Sequence, residues 1–257
     1  TVGSVERNAV VGYAKGHYLA GNTVVCVAGD LAHGEVLREI ESRCGDLLPG
    51  TLPMEYRTDP GQQAPRVGVD RRDGEQVHVC VAVHGVSRGD RRRHAVDALS
   101  GVLGGGMSSR LFTEIREKRG LAYDIHSYAE HFRSSGSLVV YAGVDPRRAE
   151  ECIGAMLDEL SRIRLGPTEE ELRRAKELMK GRLELRLEDT QNAALWYGGQ
   201  QLLNGVIQTV DDVSARIDEV KVSEVAAVAE EMLRTECLSL AVVGPADSVP
   251  TPALPAV

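Results

Sequence analysis

Of the residue types able to carry chemistry, the seven histidines come first: His17, His33, His78, His84, His94, His126 and His131. No two lie four apart, so the sequence holds neither a His-Glu-x-x-His helix pair nor its inverted form. His78 and His84 would share one strand face yet stand ~20 Å apart at about 3.3 Å per residue. His126 and His131 would point to opposite faces of their strand. The spacing therefore gives this chain no metal site of its own. There is no Gly-x-Ser-x-Gly elbow either, and Ser108-Ser109 reads as a helix N-cap. "LGGGM" at 103–107 lacks the Gly-Lys-Ser/Thr ending of a phosphate loop and reads as a flexible turn between helices. Arg116 and Tyr123 remain. They flank Gly120, so a helix end and the start of a strand can bring a guanidinium and a phenol to one sheet edge. Such fixed donors suit a peptide carbonyl or its oxyanion. Spacing alone still favours the plainer reading of a surface arginine and a half-buried tyrosine.

The elements that position this pair follow from periodicity. Residues 75–85 alternate as a half-buried strand, 89–103 and 108–118 have helical spacing, and "GLAYDIHSYAEHF" and "GSLVVYAGV" form an antiparallel pair across "RSS". Thr168 and Glu171 make a capping box opening a helix with apolar Leu172, Ala175, Leu178, Met179 and Leu183. Further helices are expected at 190–204, 210–219 and 223–233, then a strand at 237–243. The fold class is α+β, an antiparallel-rich β-sheet covered by helices. Residues 47–65 carry prolines and glycines without apolar period and read as a linker; 247–257 reads as a disordered tail. Residues 8–30 align without gaps on 223–245, matching Val10 with Val225, Ala14 with Ala229, Val27 with Val242 and Gly29 with Gly244. Each would be a helix, a turn and a strand ending in glycine. The plan implied is a duplicated fold: the tail of a first domain at 1–46 and a complete second domain at 66–246.

Composition bounds the partners. The 257 residues carry a net charge of -8, which argues against nucleic acid or an anionic membrane surface as the main partner. Arg91-Arg92-Arg93 reads as a solvated helix start. Five scattered cysteines without Cys-x-x-Cys suggest reduced thiols and a cytoplasmic location; no apolar run approaches a membrane span and no signal peptide is expected.

"LGGGMSSRLFTEIREKRGLAY" at 103–123 resembles the second-domain signature of the pitrilysin, insulinase and mitochondrial-processing-peptidase family of zinc endopeptidases, peptidase family M16. The resemblance spans almost the whole chain. It implies that 1–46, including a strand within "HYLAGNTVVCVAGD", ends the catalytic-type first domain, and that 66–246 is the substrate-binding second domain. It places scissile-region binding on Arg116 and Tyr123, and Gly104, Gly105 and Gly106 are expected to form a hinge that touches substrate. The family's zinc ligands and general base would lie before residue 1, so no catalytic or metal-binding residue is expected here. Zinc belongs to the complete enzyme, and the chain should be inactive without a zinc-binding domain or catalytic subunit. The expected partners are a peptide or unfolded segment, that missing domain, and a second copy in a homodimer, since the tail of an incomplete domain exposes apolar surface. The competing readings are a non-catalytic assembly subunit of a two-chain complex and a stand-alone peptide-binding domain.

Overall fold

A computed structural model describes residues 2–50, 58 and 61–245. The chain divides into two compact units, one of residues 1–57 with 183–210, the other of 58–182 with 211–257. The expected tail at 247–257 and part of the linker lie outside the described residues. The larger unit holds a mixed, mostly antiparallel five-stranded sheet: β1 (Arg66–Arg71), β2 (Val77–Gly85), β3 (Ala122–His131), β4 (Gly136–Val144) and β5 (Ser239–Gly244), in spatial order β1-β5-β2-β4-β3. β1 runs parallel to β5, and every other pairing is antiparallel. The α+β class read from the sequence holds.

One face of this sheet is dry. Val77, Val79, Val81 and Val83 of β2 alternate inward and meet Leu138, Val140 and Ala142 of β4 and Leu240 and Val242 of β5. Three helices cover them: α3 (Arg93–Gly104), which lies on β3, α4 (Ala149–Ile163), which lies on β2 and β4, and α8 (Val222–Met232), which packs on α3 and β2. Leu99 and Leu103 of α3, Met156 of α4 and Val225 of α8 are fully enclosed. Burying such a side chain contributes roughly 1.5–3 kcal/mol. α5 (Glu169–Leu187) opens on the expected capping box, with the Thr168 N–H bonded to Glu171 Oε2 at 2.7 Å and the Glu171 N–H to Thr168 Oγ1 at 3.2 Å. α6 (Thr190–Asn204) and α7 (Val210–Glu219) start and stop as periodicity indicates. Gly205, in the left-handed region at φ 67°, caps α6.

The smaller unit contains α1 (Arg7–His17), α2 (His33–Cys44) and α6. Grouping α6 here departs from the sequence boundary, which put all of 66–246 in the second domain. The strand expected within residues 17–30 is also absent. Residues 23–28 are irregular and have no ladder partner, because no strand of this unit is found among its described residues. Leu19 is its one buried apolar side chain among the described residues, while Val25, Val27 and Leu195 stay exposed.

The basic run is not uniformly solvated. Arg92 pairs with Asp90 and Glu231, whereas Arg93 is partly buried, donating to the Arg88 carbonyl at 3.2 Å and to His94 Nε2 at 3.2 Å. On the other side of His94, Asp97 sits 3.0 Å from Nε2 of His131, whose Nδ1 donates to the Val86 carbonyl at 2.8 Å. Burial, then the Arg93 charge, push His94 down to about 4. Burial also opposes a charged His131, but the Asp97 hydrogen bond and the Val86 carbonyl outweigh it and raise the ring above its ordinary value.

The two rings act on stability in opposite pH windows. His94 refuses a proton that the unfolded chain accepts, so its contribution is intact above pH 6.5 and falls toward pH 4, a loss on the order of 3 kcal/mol. The His131 contribution is intact below 6.5 and fades as pH rises through its raised value. Urea midpoints measured against pH should therefore flatten on the acid side in His94→Gln and on the alkaline side in His131→Gln.

Candidate functional site

The segment from Gly104 to Asp124 departs from regular structure three times. The first departure is the close of α3. A Cβ on Gly104 would stand 2.3 Å from the Ser127 backbone nitrogen, so this residue lets the helix end rest directly on β3. Ser127 Oγ holds the contact by donating to the Ser100 carbonyl at 2.7 Å. Gly105 accepts a bond from Arg182 Nη2 through its carbonyl, and Gly106 carries a partly exposed backbone against Leu178. Gly104 is thus buried for packing, while Gly105 and Gly106 keep some contact with solvent. Ser109 does not cap with its side chain as the sequence suggested. Its hydroxyl donates back to the Gly106 carbonyl at 2.6 Å, and its own carbonyl takes the Thr113 N–H.

The second departure is a π-helical segment, Phe112–Lys118, anchored by fully buried Leu111 and Ile115. Wider turns of this kind recur at functional sites. Glu114 takes two of the three nearby cations, Lys118 Nζ at 3.0 Å and Arg119 Nη2 at 2.8 Å. The Lys118 bond first, then that to Arg119, hold its carboxyl below the usual range. Arg116 is left without a carboxylate among the described residues. Its guanidinium carbon lies 4.9 Å from the centre of the Phe112 ring, a cation–π shelf that holds the group while leaving its N–H donors available. Gly120 at φ 58° ends the segment, and the Leu121 N–H closes it on the Ile115 carbonyl at 2.9 Å.

The third departure is a bulge at the start of β3. Ala122 pairs with Val144 and Asp124 with Gly143, so Tyr123 is the extra residue with no partner on β4. The alternation breaks there: Ala122 and Ile125 are buried, while Tyr123, at 61% exposure, and Asp124 both turn outward. The π-helical segment packs on β3, which places Arg116 and Tyr123 on adjoining elements, although no hydrogen bond joins the two. Phe112, Glu114 and Asp124 escaped the sequence reading. An aromatic four residues before Arg116 was the signal available for Phe112.

Beside this segment an open depression is lined by Arg110, Thr113, Glu114, Lys118, Glu159, Arg162 and Glu171. Two ion pairs lie within it, Arg110 with Glu171 at 2.7 Å and Arg162 with Glu159 at 2.7 Å. The Arg110 bond holds Glu171 down to about 2. No group of three or more His, Cys, Asp or Glu side chains among the described residues could hold a metal ion, so the donors present do not fit zinc. No helix among the described residues is long and apolar enough to cross a membrane.

Comparisons with known proteins bear on the family. A family model described as "Peptidase M16 inactive domain" matches residues 4–179. An uncharacterised zinc protease of Streptomyces coelicolor is 37% identical over 252 residues, covering 95% of this chain and 55% of that protein. One from Bacillus subtilis is 29% identical, covering 98% of this chain and 61% of that protein. The chain thus spans a little over half the length of these relatives. Among solved structures, a protease from Helicobacter pylori superposes with a TM-score of 0.86 at 23% identity, over 95% of this chain and 60% of that one. A chain of complex III2 from Candida albicans gives 0.81 at 19% identity, over 95% and 60% of the two chains. Those two likenesses concern the fold. With the family model matching well over half of its length, the chain belongs to peptidase family M16 and carries that family's inactive domain.

Proposed function

We propose that this chain is the substrate-binding portion of a zinc-dependent metalloendopeptidase, acting on peptides or unfolded segments. Arg116 and Tyr123 donate to the peptide carbonyl at or beside the scissile bond, and Gly105 and Gly106 let the substrate backbone approach closely. Zinc and the general base come from the part of the relatives that this chain does not span, in the same polypeptide or in a separate subunit. The observation that carries the reading is the state of Arg116: its neighbours are neutralised by Glu114, while it alone is held on an aromatic face with donors open. A guanidinium needed only for stability would gain more from a carboxylate. Tyr123 adds support, because a bulge re-aims the phenol outward where regular pairing would have fixed its direction. The names of the relatives as zinc proteases fit the same reading.

Residues 1–46 are, on this proposal, the end of the preceding zinc-type domain, with 24–29 joining its sheet as β5 joins the sheet here. The exposed Val25 and Val27 correspond in the repeat to Leu240 and Val242, which are buried. Peptide binding as an added strand beside a sheet edge is the recognition mode expected.

Peptidase assays of this chain combined with the zinc-binding portion test the roles. Tyr123→Phe and Arg116→Ala should each lower turnover on the order of 10²-fold with urea midpoints unchanged, as for loss of one fixed oxyanion donor. Unchanged turnover in both would favour a non-catalytic assembly subunit. Phe112→Leu should cost less than Arg116→Ala, because it loosens the guanidinium without removing it. Gly104→Ala should instead lower stability by about 1–3 kcal/mol through overpacking against β3, read from the same urea transitions. The hydrophobic dye ANS should bind the chain alone and be displaced when the zinc-binding portion is added.

A further inference from the structure

The turns that lead into α3 and α4 share a local motif, an aspartate followed two residues later by an arginine. Ahead of α3, Asp90 accepts the Arg92 N–H at 2.8 Å and grips the guanidinium through Nε at 3.1 Å and Nη2 at 2.8 Å. Ahead of α4, Asp145 accepts the Arg147 N–H at 2.9 Å, Nε at 3.2 Å and Nη2 at 2.8 Å. The two agree bond for bond and differ at the third nitrogen. Nη1 of Arg92 donates to both carboxylate oxygens of Glu231 on α8, at 2.8 and 2.7 Å. Nη1 of Arg147 has no acceptor among the described residues, and its side chain is 87% exposed.

Arg147 stands where the site can use that nitrogen. β4 ends at Val144, opposite Ala122, so the turn Asp145–Pro146–Arg147 leaves the sheet beside the bulged Tyr123. Asp145, by its hydrogen bond first and then by its charge, holds the guanidinium in its charged form, and the Tyr123 phenol lies close enough to add to that effect. Asp124, the other outward residue of the bulge, is turned to His126, whose Nδ1 is 3.3 Å away. The adjacent cation, Arg148, pairs with Glu151 at 2.9 Å. Tying a guanidinium to its own turn removes much of the rotamer freedom that a loose surface arginine would lose on binding. A forked donor fixed on one edge and open on the other suits a second carboxylate, as Arg92 demonstrates with Glu231. A neutral amide oxygen would accept a weaker bond there, and a cation would meet like charge.

We infer that Arg147 is a specificity-determining residue that binds a carboxylate of the substrate, an acidic side chain or the C-terminal carboxylate, in the place that Glu231 takes on Arg92. The inference rests on the reading of Tyr123 and Arg116 as substrate-facing. It names the substrate class of that site: peptides with a negative group close to the carbonyl presented to Tyr123. Because Arg147 is exposed, the pair is modest in strength and screened by salt, so it selects among peptides without supplying most of their affinity.

Fluorescence anisotropy on the full 257-residue chain at low salt tests this without requiring catalysis. The probes are labelled peptides of one neutral, unstructured sequence with both ends blocked, in which a single glutamate, glutamine or lysine is moved along the sequence. A further glutamine peptide has a free C-terminus. At one or two neighbouring positions the glutamate peptide should bind about fivefold more tightly than the glutamine one, and the lysine peptide most weakly. A gain found with the free C-terminus instead supports the inference and identifies the terminal carboxylate as the group bound. Arg147→Gln should bring the preference to near unity, and Arg147→Lys should keep only part of it, since an ammonium lacks the fork. Arg92→Gln, at the matching motif whose Nη1 Glu231 already occupies, should leave the preference intact. Urea midpoints matching the unsubstituted chain exclude misfolding. Equal affinity for all peptides, a preference that survives Arg147→Gln or is lost equally in Arg92→Gln, or no saturable binding overturns the inference. The role of the donor pair is decided separately by turnover of the combined enzyme. If that role fails, Arg116→Ala and Tyr123→Phe leave turnover intact; if only the present inference fails, both still lower turnover while no carboxylate preference is found.

Discussion

A helix can rest on a strand at backbone distance only where no Cβ stands between them, and the site depends on that constraint being met at Gly104. The residue brings the end of α3 onto Ser127 of β3, where a methyl group would stand 2.3 Å from the backbone nitrogen. From that fixed point the chain has a short turn before Arg110, which its pair with Glu171 ties to α5 at 2.7 Å. Leu111 and Ile115 then sink into the core and set which side of the π-helical segment faces out. The direction of Arg116 is inherited from those anchors. A buried helix end thus governs an exposed guanidinium, through packing and with no polar link between them.

The two units show what a core contributes. In the larger, inward valines of β2 meet three helices and leave the other sheet face free for polar and aromatic side chains. In the smaller, helices form with the same propensities, yet Leu19 alone among the described apolar residues is enclosed. Local sequence suffices to specify α1 and α2 as helices. It does not suffice to make residues 23–28 a strand, because a strand is a relation between segments and needs a neighbour to bond with.

That distinction also marks what the sequence could disclose. The limits of α6 and α7, the Thr168–Glu171 box and the β3–β4 hairpin were legible because their determinants are local. β1 and α4 went unnamed: β1 is short and exposed on most positions, and α4 follows a strand end where periodicity is interrupted by the Pro146 turn. Over seven residues a π-helical turn and an α-helical one give the same apolar pattern, so 108–118 read as an ordinary helix. The Tyr123 bulge was equally hidden, since the extra residue shows only when β4 is laid beside β3. Arg116 and Tyr123 stood out through spacing and resemblance, whereas Phe112 and Glu114 gained meaning only once their contacts were seen.

The bulge and the π-helical segment have a common description in terms of genes. Each is a regular element carrying an additional residue: a strand with one more than its ladder requires, and a helix wound with more residues per turn. Deleting the codon for Tyr123 would restore an even ladder with Ala122 still opposite Val144 and Asp124 still opposite Gly143, so that the outward phenol alone would be lost. The direction of that phenol is therefore tied to chain length as closely as to side-chain identity, whereas the rest of the outward face is set by the register of β3 on β4.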